Sequence, residues 1–324
     1  MQKLLKRIQI LLFVYLVFFV LQSCINDSDD TLNVPATNTI VDIALGSEDF
    51  TSLVAALQKT DLVSTLQGDG PFTVFAPTNE AFQNLLDSNP SWSSLDDIPV
   101  STLKTVLLFH VLNRNLKELD IPNPDSYLNT LAVGPNDEPL TLQVEGKNNG
   151  NGEIEFNGDS KPIIFDIEAS NGTVHAIDKV MLPPNIVTLT LNFNYTSLVA
   201  ALTDSRHTTN FISILNGNGP FTLFAPTNQA FQSLLNSNPD WNSLADVPIK
   251  TLEAVLLYHV VDKSNIQLDQ LSNGDVSTLR GAITIDLTYG PKIKTTKDQT
   301  VDIVLNDIQG FNGVVHVINS VLLP

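Results

Sequence analysis

The sequence predicts an α+β fold made of two tandem copies of one unit. The segments Gly70–Pro90 and Gly219–Pro239 are identical at 17 of 21 positions and begin 149 residues apart. In each copy, apolar residues recur first at the spacing of a helix and later alternate as in strands. Self-similarity at a fixed spacing indicates repeated structural units. We therefore expect two domains of the same α+β architecture, with helical and β regions in separate parts of each.

Composition limits the classes of protein. A chain of 324 residues is long enough for two domains, and 43% hydrophobic with 16% charged residues favours compact folding. The formal charge of −18 opposes binding to the phosphates of nucleic acids, so no nucleic-acid partner is expected. Cys24 is the only cysteine, which excludes an intramolecular disulfide and a zinc site built from several cysteines. No cofactor is expected.

The first 24 residues have the composition of a targeting segment. Three basic residues precede the apolar run Ile8–Val20, which has the length of a signal-peptide core and is short for a membrane-spanning helix. The following Leu21–Cys24 reads Leu-Gln-Ser-Cys and resembles the lipobox of bacterial lipoproteins. This resemblance implies that 1–23 is a signal peptide and that lipid on Cys24 anchors the protein to a membrane. An uncleaved anchor helix with an incidental cysteine is the alternative.

The next residues, 24–38, have the composition of an acidic tether. Three aspartates lie within 25–30, and the segment that follows is polar and contains Pro35. The acidic cluster resembles the surface-export signal of Bacteroidetes lipoproteins, which implies the bacterial outer membrane or cell surface as the location. A solvated linker without an export role is the alternative.

Helical signals open each copy. In the first copy, Phe50, Leu53, Val54 and Leu57 share one face of a predicted helix. A short alternating segment over Phe72–Phe75 then predicts a strand. These elements account for the start of each unit.

Two further helices are predicted after this strand. Thr78 stands at an N-cap position, ahead of a helical stripe that includes Phe82 and ends near Asn89. Ser101 is predicted to cap another helix, which carries His110 near its end.

β signals dominate the second half of each copy. In the first copy, three segments alternate or run apolar between turn residues: Leu140–Val144, Glu153–Phe156 and Ile163–Ile167. The pair Asn171-Gly172 is a hairpin-turn signal. It precedes a predicted final strand over Val174–Leu182.

The second copy departs from the first at its start. Ile186–Leu191 alternates like a strand, whereas the equivalent Ile40–Leu45 has a helical pattern. A strand is therefore expected there in place of the first helix. With Pro183-Pro184 at the junction, the first domain is placed at 39–183 and the second at 185–324.

Three repeated motifs connect the chain to a known family. The blocks TVFAPTNEAF and TLFAPTNQAF, the pairs Phe-His and Tyr-His, and the endings NGTVHAIDKVMLP and NGVVHVINSVLLP keep the same order in both copies. Together they resemble fasciclin domains, which implies several short helices packed on a β-wedge or sandwich and a role in cell adhesion or matrix attachment. The residues that these motifs mark as structural are Thr78, Asn79, His175, Asp178, Thr227, Asn228 and His316.

Four of the five histidines occupy matching places in the two copies. His110 and His175 lie in apolar runs, which favours a neutral ring that donates from one nitrogen and accepts at the other. A general base, or a metal pair completed by Asp178, is the alternative. Asn319 replaces that aspartate in the second copy, and a carboxamide cannot supply the negative charge of a carboxylate. This argues against a general base or a metal site common to both copies, so we expect no metal.

Two kinds of aromatic residue are candidates for partner contact. Phe109-His110 and Tyr258-His259 stand where fasciclin domains are thought to engage receptors, so the resemblance implies a contact site; packing into the core is the alternative. Trp92 and Trp241 occupy matching loops. An exposed indole there would stack on a sugar ring, and a buried one would close the edge of the core.

Enzymatic motifs are missing from the sequence. It contains no G-x-S-x-G nucleophile elbow, P-loop or G-x-G-x-x-G pattern, so no catalytic residue is predicted. We expect a non-enzymatic, lipid-anchored adhesion protein whose ligand is a protein or a matrix polysaccharide. The alternatives are a carbohydrate-binding accessory lipoprotein of a glycan-uptake system and a structural spacer of the envelope.

Overall fold

The computed structural model describes residues 36–122, 126–145, 154–192 and 195–324 of the chain. The predicted signal peptide at 1–23, Cys24 and the tether up to residue 35 lie outside the described residues. Over the described ranges, no helix combines the length and the apolar character needed to cross a bilayer.

Helices occupy the first part of each repeat. In the first repeat they are α1 (Ile40–Leu45), α2 (Thr51–Lys59), α3 (Val63–Leu66), α4 (Asn79–Asp87) and α5 (Val100–Phe109). In the second repeat they are α6 (Ile186–Asn192), α7 (Thr196–Leu202), α8 (Phe211–Leu215), α9 (Asn228–Asn236) and α10 (Ile249–Tyr258). Single 3₁₀ turns include Glu48–Phe50, Leu95–Asp97, Glu118–Asp120, Leu244–Asp246 and Leu268–Gln270.

Strands follow the helices in each repeat, except that the first strand of each repeat precedes its last two helices. The first repeat contains β1 (Phe72–Pro77), β2 (Val111–Leu112), β3 (Ser126–Val133), β4 (Pro139–Glu145), β5 (Glu155–Phe156), β6 (Pro162–Ala169) and β7 (Gly172–Ile177). The second contains β8 (Phe221–Pro226), β9 (Val260–Asp262), β10 (Gly274–Thr278), β11 (Gly281–Asp286), β12 (Lys292–Lys294), β13 (Thr300–Gly310) and β14 (Gly313–Ile318).

The two repeats share one strand order. The first has a sheet ordered β2-β1-β7-β6, and the second has the same arrangement as β9-β8-β14-β13. The central strands are parallel, with Phe72 opposite Gly172 and Phe221 opposite Gly313. In the second repeat the sheet continues through β12, β11 and β10, whereas β3, β4 and β5 form a separate sheet in the first. The α+β prediction is confirmed.

Each repeat has its own apolar interior. The buried residues form four clusters, and all buried members of any one cluster come from a single repeat. In the first repeat, the cluster that contains Leu103 is the helix-side core and the cluster that contains Phe156 is the sheet-side core. In the second repeat, Leu252 lies in the helix-side core and Ile293 in the sheet-side core. Burying a side chain of this size contributes about 1.5–3 kcal/mol. The helices and sheets of each repeat are therefore held together by contacts within that repeat.

A polar junction connects the two repeats where β4 lies against β13. The Gln309 amide N–H donates to the Thr141 hydroxyl at 3.0 Å. The carboxamides of Gln309 and Asn265 exchange two hydrogen bonds of 3.0 Å, and the Asn136 carboxamide donates to the Asn265 carbonyl at 3.2 Å. Thr141, Asn265 and Gln309 are buried. Their hydrogen bonds offset the cost of removing these polar groups from water.

The strand predicted at the start of the second repeat is wrong, because Ile186–Asn192 is the helix α6. The Asn185 carboxamide oxygen accepts the Thr188 N–H at 2.8 Å, as an N-cap does, and the Ile186 N–H donates to the Asn312 side chain at 3.0 Å. The residues buried along this segment follow a helical face rather than a strand face: Ile186, Val187, Leu189 and Thr190. Capping and long-range contact thus override the local alternation.

Two predicted boundaries also differ from the structure. Helix α5 begins at Val100 after Pro99, and the exposed Ser101 lies inside its first turn instead of capping it. The last strand of the first repeat ends at Ile177, not at Leu182. Beyond that strand the chain leaves the sheet to pack against helix α5. The N-cap prediction for Thr78 is confirmed, since its hydroxyl accepts the Ala81 N–H at 3.2 Å.

Candidate functional site

A buried histidine follows the central helix of each repeat. His110 is the C-cap of α5 and His259 is the C-cap of α10. The His110 Nδ1 donates to the Val106 carbonyl at 2.7 Å, and its Nε2 accepts the Met181 N–H at 2.9 Å. The equivalent bonds of His259 are 2.6 and 2.9 Å long. Both nitrogens of each neutral ring therefore hold the domain's last segment against its central helix.

The second histidine of each repeat lies in the strand that completes the parallel pair. His175 in β7 donates from Nε2 to the Leu116 carbonyl at 2.9 Å and accepts the Asp166 N–H at Nδ1, at 3.2 Å. His316 in β14 repeats this pattern with bonds of 2.8 and 3.3 Å. These rings connect the sheet to the loop that follows β2 or β9.

Two aspartates that the sequence analysis missed complete this arrangement. Asp166 and Asp307 both have positive φ, 57° and 59°, in β6 and β13. Their carboxylates accept the Glu118 N–H at 2.9 Å and the Leu268 N–H at 2.7 Å, at the start of a 3₁₀ turn. The sequence did contain a signal, because Asp166-Ile167 recurs as Asp307-Ile308. These pairs are 141 residues apart, the spacing that also separates His175 from His316.

The Asp178 and Asn319 positions have one structural role in common. The Asp178 carboxylate accepts the Lys161 N–H at 2.7 Å, and the Asn319 carboxamide oxygen accepts the Asp302 N–H at 3.0 Å. Either side chain supplies the oxygen, so the exchange of Asp for Asn is tolerated. Over the described residues, no group of three or more His, Cys, Asp and Glu side chains is arranged to hold a metal ion.

Burial changes the acidity of all four repeated histidines. It lowers the pKa of His110 and His259 to about 4, because a charged ring would lose its hydration in the interior. Burial also lowers the pKa of His175 and His316. At neutral pH the four rings are uncharged and serve as hydrogen-bond bridges.

We expect the protein to lose stability as the pH falls from 6.5 towards 4. Unfolded histidine binds its proton near pH 6.5, whereas folded His110 and His259 stay neutral down to about pH 4. Their stabilising contribution is complete above pH 6.5. Below it, each such histidine lowers the free energy of unfolding by about 1.4 kcal/mol per pH unit. Urea unfolding at about pH 7 and about pH 5 measures the difference, with the carboxylates still mostly ionised at both.

A His110→Gln variant provides the comparison for this pH dependence. It should be less stable than the natural chain at neutral pH, and its stability should change less between the two pH values because one titrating ring is missing. Equal free energies of unfolding at both pH values in the natural chain would contradict the assignment.

A buried asparagine ties the first helix of each repeat to the parallel strands. The Asn171 oxygen accepts the Ile40 N–H at 3.0 Å, and its nitrogen donates to the Leu66 and Gly68 carbonyls, both at 2.8 Å. Asn312 makes the same three bonds, at 3.0, 2.8 and 2.8 Å. The Asn-Gly pair predicted as a turn signal therefore also anchors a distant helix.

The threonine and asparagine of each repeated block are structural. Thr78 and Thr227 cap α4 and α9. The Asn79 carboxamide accepts the Ser52 N–H at 2.8 Å and donates to the Glu48 carbonyl at 2.8 Å. Asn228 accepts the N–H of the corresponding serine at 2.9 Å. The block thus positions the start of the second helix of each repeat.

The interpretation of Phe109-His110 and Tyr258-His259 as partner contacts is wrong for this fold. All four side chains are at most 2% exposed. The Tyr258 hydroxyl donates to the Ala282 carbonyl at 2.6 Å, and Phe109 packs in the sheet-side core of the first repeat. Core packing, the alternative weighed from the sequence, is what the structure shows.

Trp92 and Trp241 are half-buried at the edge of the helix-side cores of their repeats. A basic side chain holds the loop that follows each tryptophan. The Lys59 ammonium donates to the Leu95 carbonyl at 2.6 Å, and the Arg206 guanidinium donates to the Leu244 carbonyl at 2.9 Å. Both indoles therefore help to close a core and leave only part of the ring exposed.

An open groove of about 350 Å³ lies beside the loop that follows β2. It is lined by Asn113, Arg114, Tyr127, Leu128 and Asn129. No sequence motif marked these residues, because the loop and the strand β3 that line the groove carry no repeated pattern. Among the described residues, the groove is an open polar site, in contrast to the buried histidines.

The comparison with protein families agrees with the internal repeat. The fasciclin-domain family model matches residues 48–183 and 193–324. The Synechocystis protein sll1483 is 37% identical over 45% of this chain and 74% of its own length, and human periostin is 30% identical over 80% of this chain but 29% of its own. A solved FAS1 domain pair from the insect cell adhesion molecule fasciclin I covers 83% of this chain and 92% of its own, at 19% identity and a TM-score of 0.45. Because the family model matches twice and spans most of the sequence, this chain belongs to the fasciclin-domain family.

Proposed function

We propose that this chain is a lipid-anchored surface protein that mediates adhesion through two fasciclin domains, without catalysing a reaction. Membership of both repeats in the fasciclin family is the observation that carries the adhesion role. The partner is a protein or a matrix polysaccharide, and the location is the bacterial outer membrane or cell surface. The arrangement of the histidines supports a non-catalytic role, since protein groups occupy both ring nitrogens of each of the four repeated histidines.

Attachment of beads to cells tests the adhesion role. Beads coated with the full chain should attach to a layer of cells of the source strain, and beads coated with the heat-unfolded chain should not. Treating the cells with protease or with periodate then separates a protein partner from a polysaccharide partner. Equal attachment of folded and unfolded chain would contradict adhesion through the fasciclin domains.

Replacing Cys24 with serine is expected to release the protein from the membrane. The hydroxyl oxygen cannot take the place of the thiol in lipid transfer, and an envelope protein without acyl chains loses the hydrophobic energy of about 0.8 kcal/mol per buried methylene. Cell fractionation and surface labelling measure the change.

The matched control is Ser23→Ala, which keeps a small residue before the predicted cleavage point and the thiol after it. This variant should remain membrane-bound and surface-labelled. A Cys24→Ser chain that is retained and displayed like the natural one would exclude lipid anchoring at this residue.

A carbohydrate-binding accessory of a glycan-uptake system is the second candidate. The open groove beside Arg114 favours it, because the groove combines an aromatic ring with carboxamides and a guanidinium. A spacer role in the envelope would instead be favoured by pull-down of a single tight partner from intact envelopes.

A further inference from the structure

The loop that borders the groove is held on a rigid base. Thr73 and Thr173 lie opposite each other in the parallel strands β1 and β7 and are buried. The Thr73 hydroxyl donates to the Arg114 carbonyl at 2.6 Å and accepts the Leu116 N–H at 2.8 Å, and the Thr173 hydroxyl donates to the Asn115 carboxamide at 2.6 Å. The backbone that carries Asn113 and Arg114 is therefore fixed before any ligand arrives.

The opposite side of the groove is also fixed. Tyr127 and Asn129 are two residues apart in β3, so they project from the same face of the strand, whereas Leu128 between them is buried in the core. The half-buried Tyr127 packs against the helix-side core of the second repeat. Both repeats therefore hold this side of the groove in place.

The side chains at the groove have complementary chemistry. Among the described residues, no carboxylate forms an ion pair with the exposed Arg114 guanidinium, although the chain as a whole has a formal charge of −18. A guanidinium binds a carboxylate through two parallel hydrogen bonds. The carboxamides of Asn113 and Asn129 can each donate and accept, which suits neighbouring hydroxyl groups. A tyrosine ring offers an apolar face with a polar edge, which suits the C–H face of a pyranose.

The second repeat differs at the same place. The Thr222 hydroxyl makes the equivalent bond to the Ser264 carbonyl, and the loop contains one more residue than in the first repeat. This loop contains Lys263, at a φ of 57°, and Asp262 replaces Asn113. A carboxylate at this position would repel an anionic ligand, so the chemistry is specific to the first repeat.

We propose that the groove formed by Asn113, Arg114, Tyr127 and Asn129 binds a glycan through a single carboxylated sugar, such as a uronic acid. The carboxylate pairs with Arg114, the carboxamides bind ring hydroxyls, and the sugar face rests on Tyr127. The net negative charge of the chain favours a ligand with one carboxylate over a densely sulfated polymer. The glycan bound at this site would be the ligand for the adhesion proposed above, and the biological role of the site rests on that function.

Titration calorimetry of the full chain with a glucuronate-containing disaccharide tests this site. Binding is expected, and the disaccharide in which the carboxylate has been reduced to an alcohol should bind about tenfold or more weakly, because a charge-assisted hydrogen bond is lost. Arg114→Gln should cause the same loss. Lys263→Gln, the matched change in the second repeat, should leave the affinity unchanged. Circular dichroism should show an unchanged fold in both variants, since both side chains are exposed.

Several results would overturn the assignment. These are absence of binding, equal binding of the carboxylated and reduced sugars, or tighter Arg114-independent binding of heparin. Loss of binding in Trp92→Ala together with full binding in Arg114→Gln would move the sugar site to the indole. If bead attachment persists without disaccharide binding, this site fails and the adhesion function stands. If the disaccharide binds and no beads attach, the binding site stands and the adhesion function fails.

Discussion

Replacing Gly172 with alanine is expected to prevent the first domain from folding stably. Gly172 has a φ of 154°, and a Cβ at this position would meet the Phe72 carbonyl oxygen far inside the 3.0 Å that real Cβ atoms keep. Phe72 is its partner in the parallel pair, so the two central strands would have to separate. We expect the free energy of unfolding to fall by more than about 4 kcal/mol. Urea unfolding in a Trp241→Phe background measures it, because Trp92 then reports the first domain alone.

Gly274→Ala separates steric overlap from backbone strain. Gly274 has a similar φ of 141°, but no atom lies within 4 Å of the position a Cβ would take. In a Trp92→Phe background, this variant should lose only about 1–3 kcal/mol through backbone strain. Similar losses in the two variants would show that overlap with Phe72 does not dominate.

Replacing Asn171 with alanine is expected to have the second largest effect. The change leaves the Ile40 N–H and the Leu66 carbonyl buried without their partner, and it also removes the bond to Gly68. Each unsatisfied buried group costs about 1–3 kcal/mol, so a loss of about 3–5 kcal/mol is expected. Asn171→Asp should not restore stability, because it keeps the acceptor but places an anion against two carbonyls. Urea unfolding in the Trp241→Phe background, followed by the fluorescence of Trp92, again measures the change.

Asn89→Ala is the control for this substitution. The Asn89 carboxamide accepts one solvent-exposed bond, from the Ser91 N–H at 3.0 Å. Water can replace that bond, so a loss below about 1 kcal/mol is expected. A comparable loss at both asparagines would mean that burial of the Asn171 bonds adds little stability.

Much of the fold could be predicted because its signals are local. The capping oxygen of Thr78 lies three residues from the N–H that it binds, and the apolar face that includes Leu53 and Leu57 repeats at helical spacing. The internal repeat then transfers each assignment from one domain to the other. The α+β class and the order of helices before strands followed from these signals.

The remaining features depend on contacts between residues far apart in sequence. Ile186–Asn192 alternates like a strand, yet Asn312, 126 residues away from Ile186, helps to fix it as a helix. The roles of Asp166 and Asp307 depend on the folded strands, where a shift of register in β6 and in β13 places each aspartate beside a histidine. The groove could not be predicted either. It lies between the loop that follows β2 and the strand β3, and Tyr127 of β3 packs against the other repeat.

Recombination of these domains is constrained by the strand β13. It carries Gln309, which bonds to the first domain, and Asp307, which orients the second domain's own histidine. A chimera that kept 185–324 behind a foreign first domain would leave the Gln309 backbone N–H without its acceptor and the Gln309 carbonyl without its donor, because the Thr141 hydroxyl supplies both. The pair is therefore the unit that can be shuffled or inherited intact, and an exchange of either domain requires matched changes across β4 and β13.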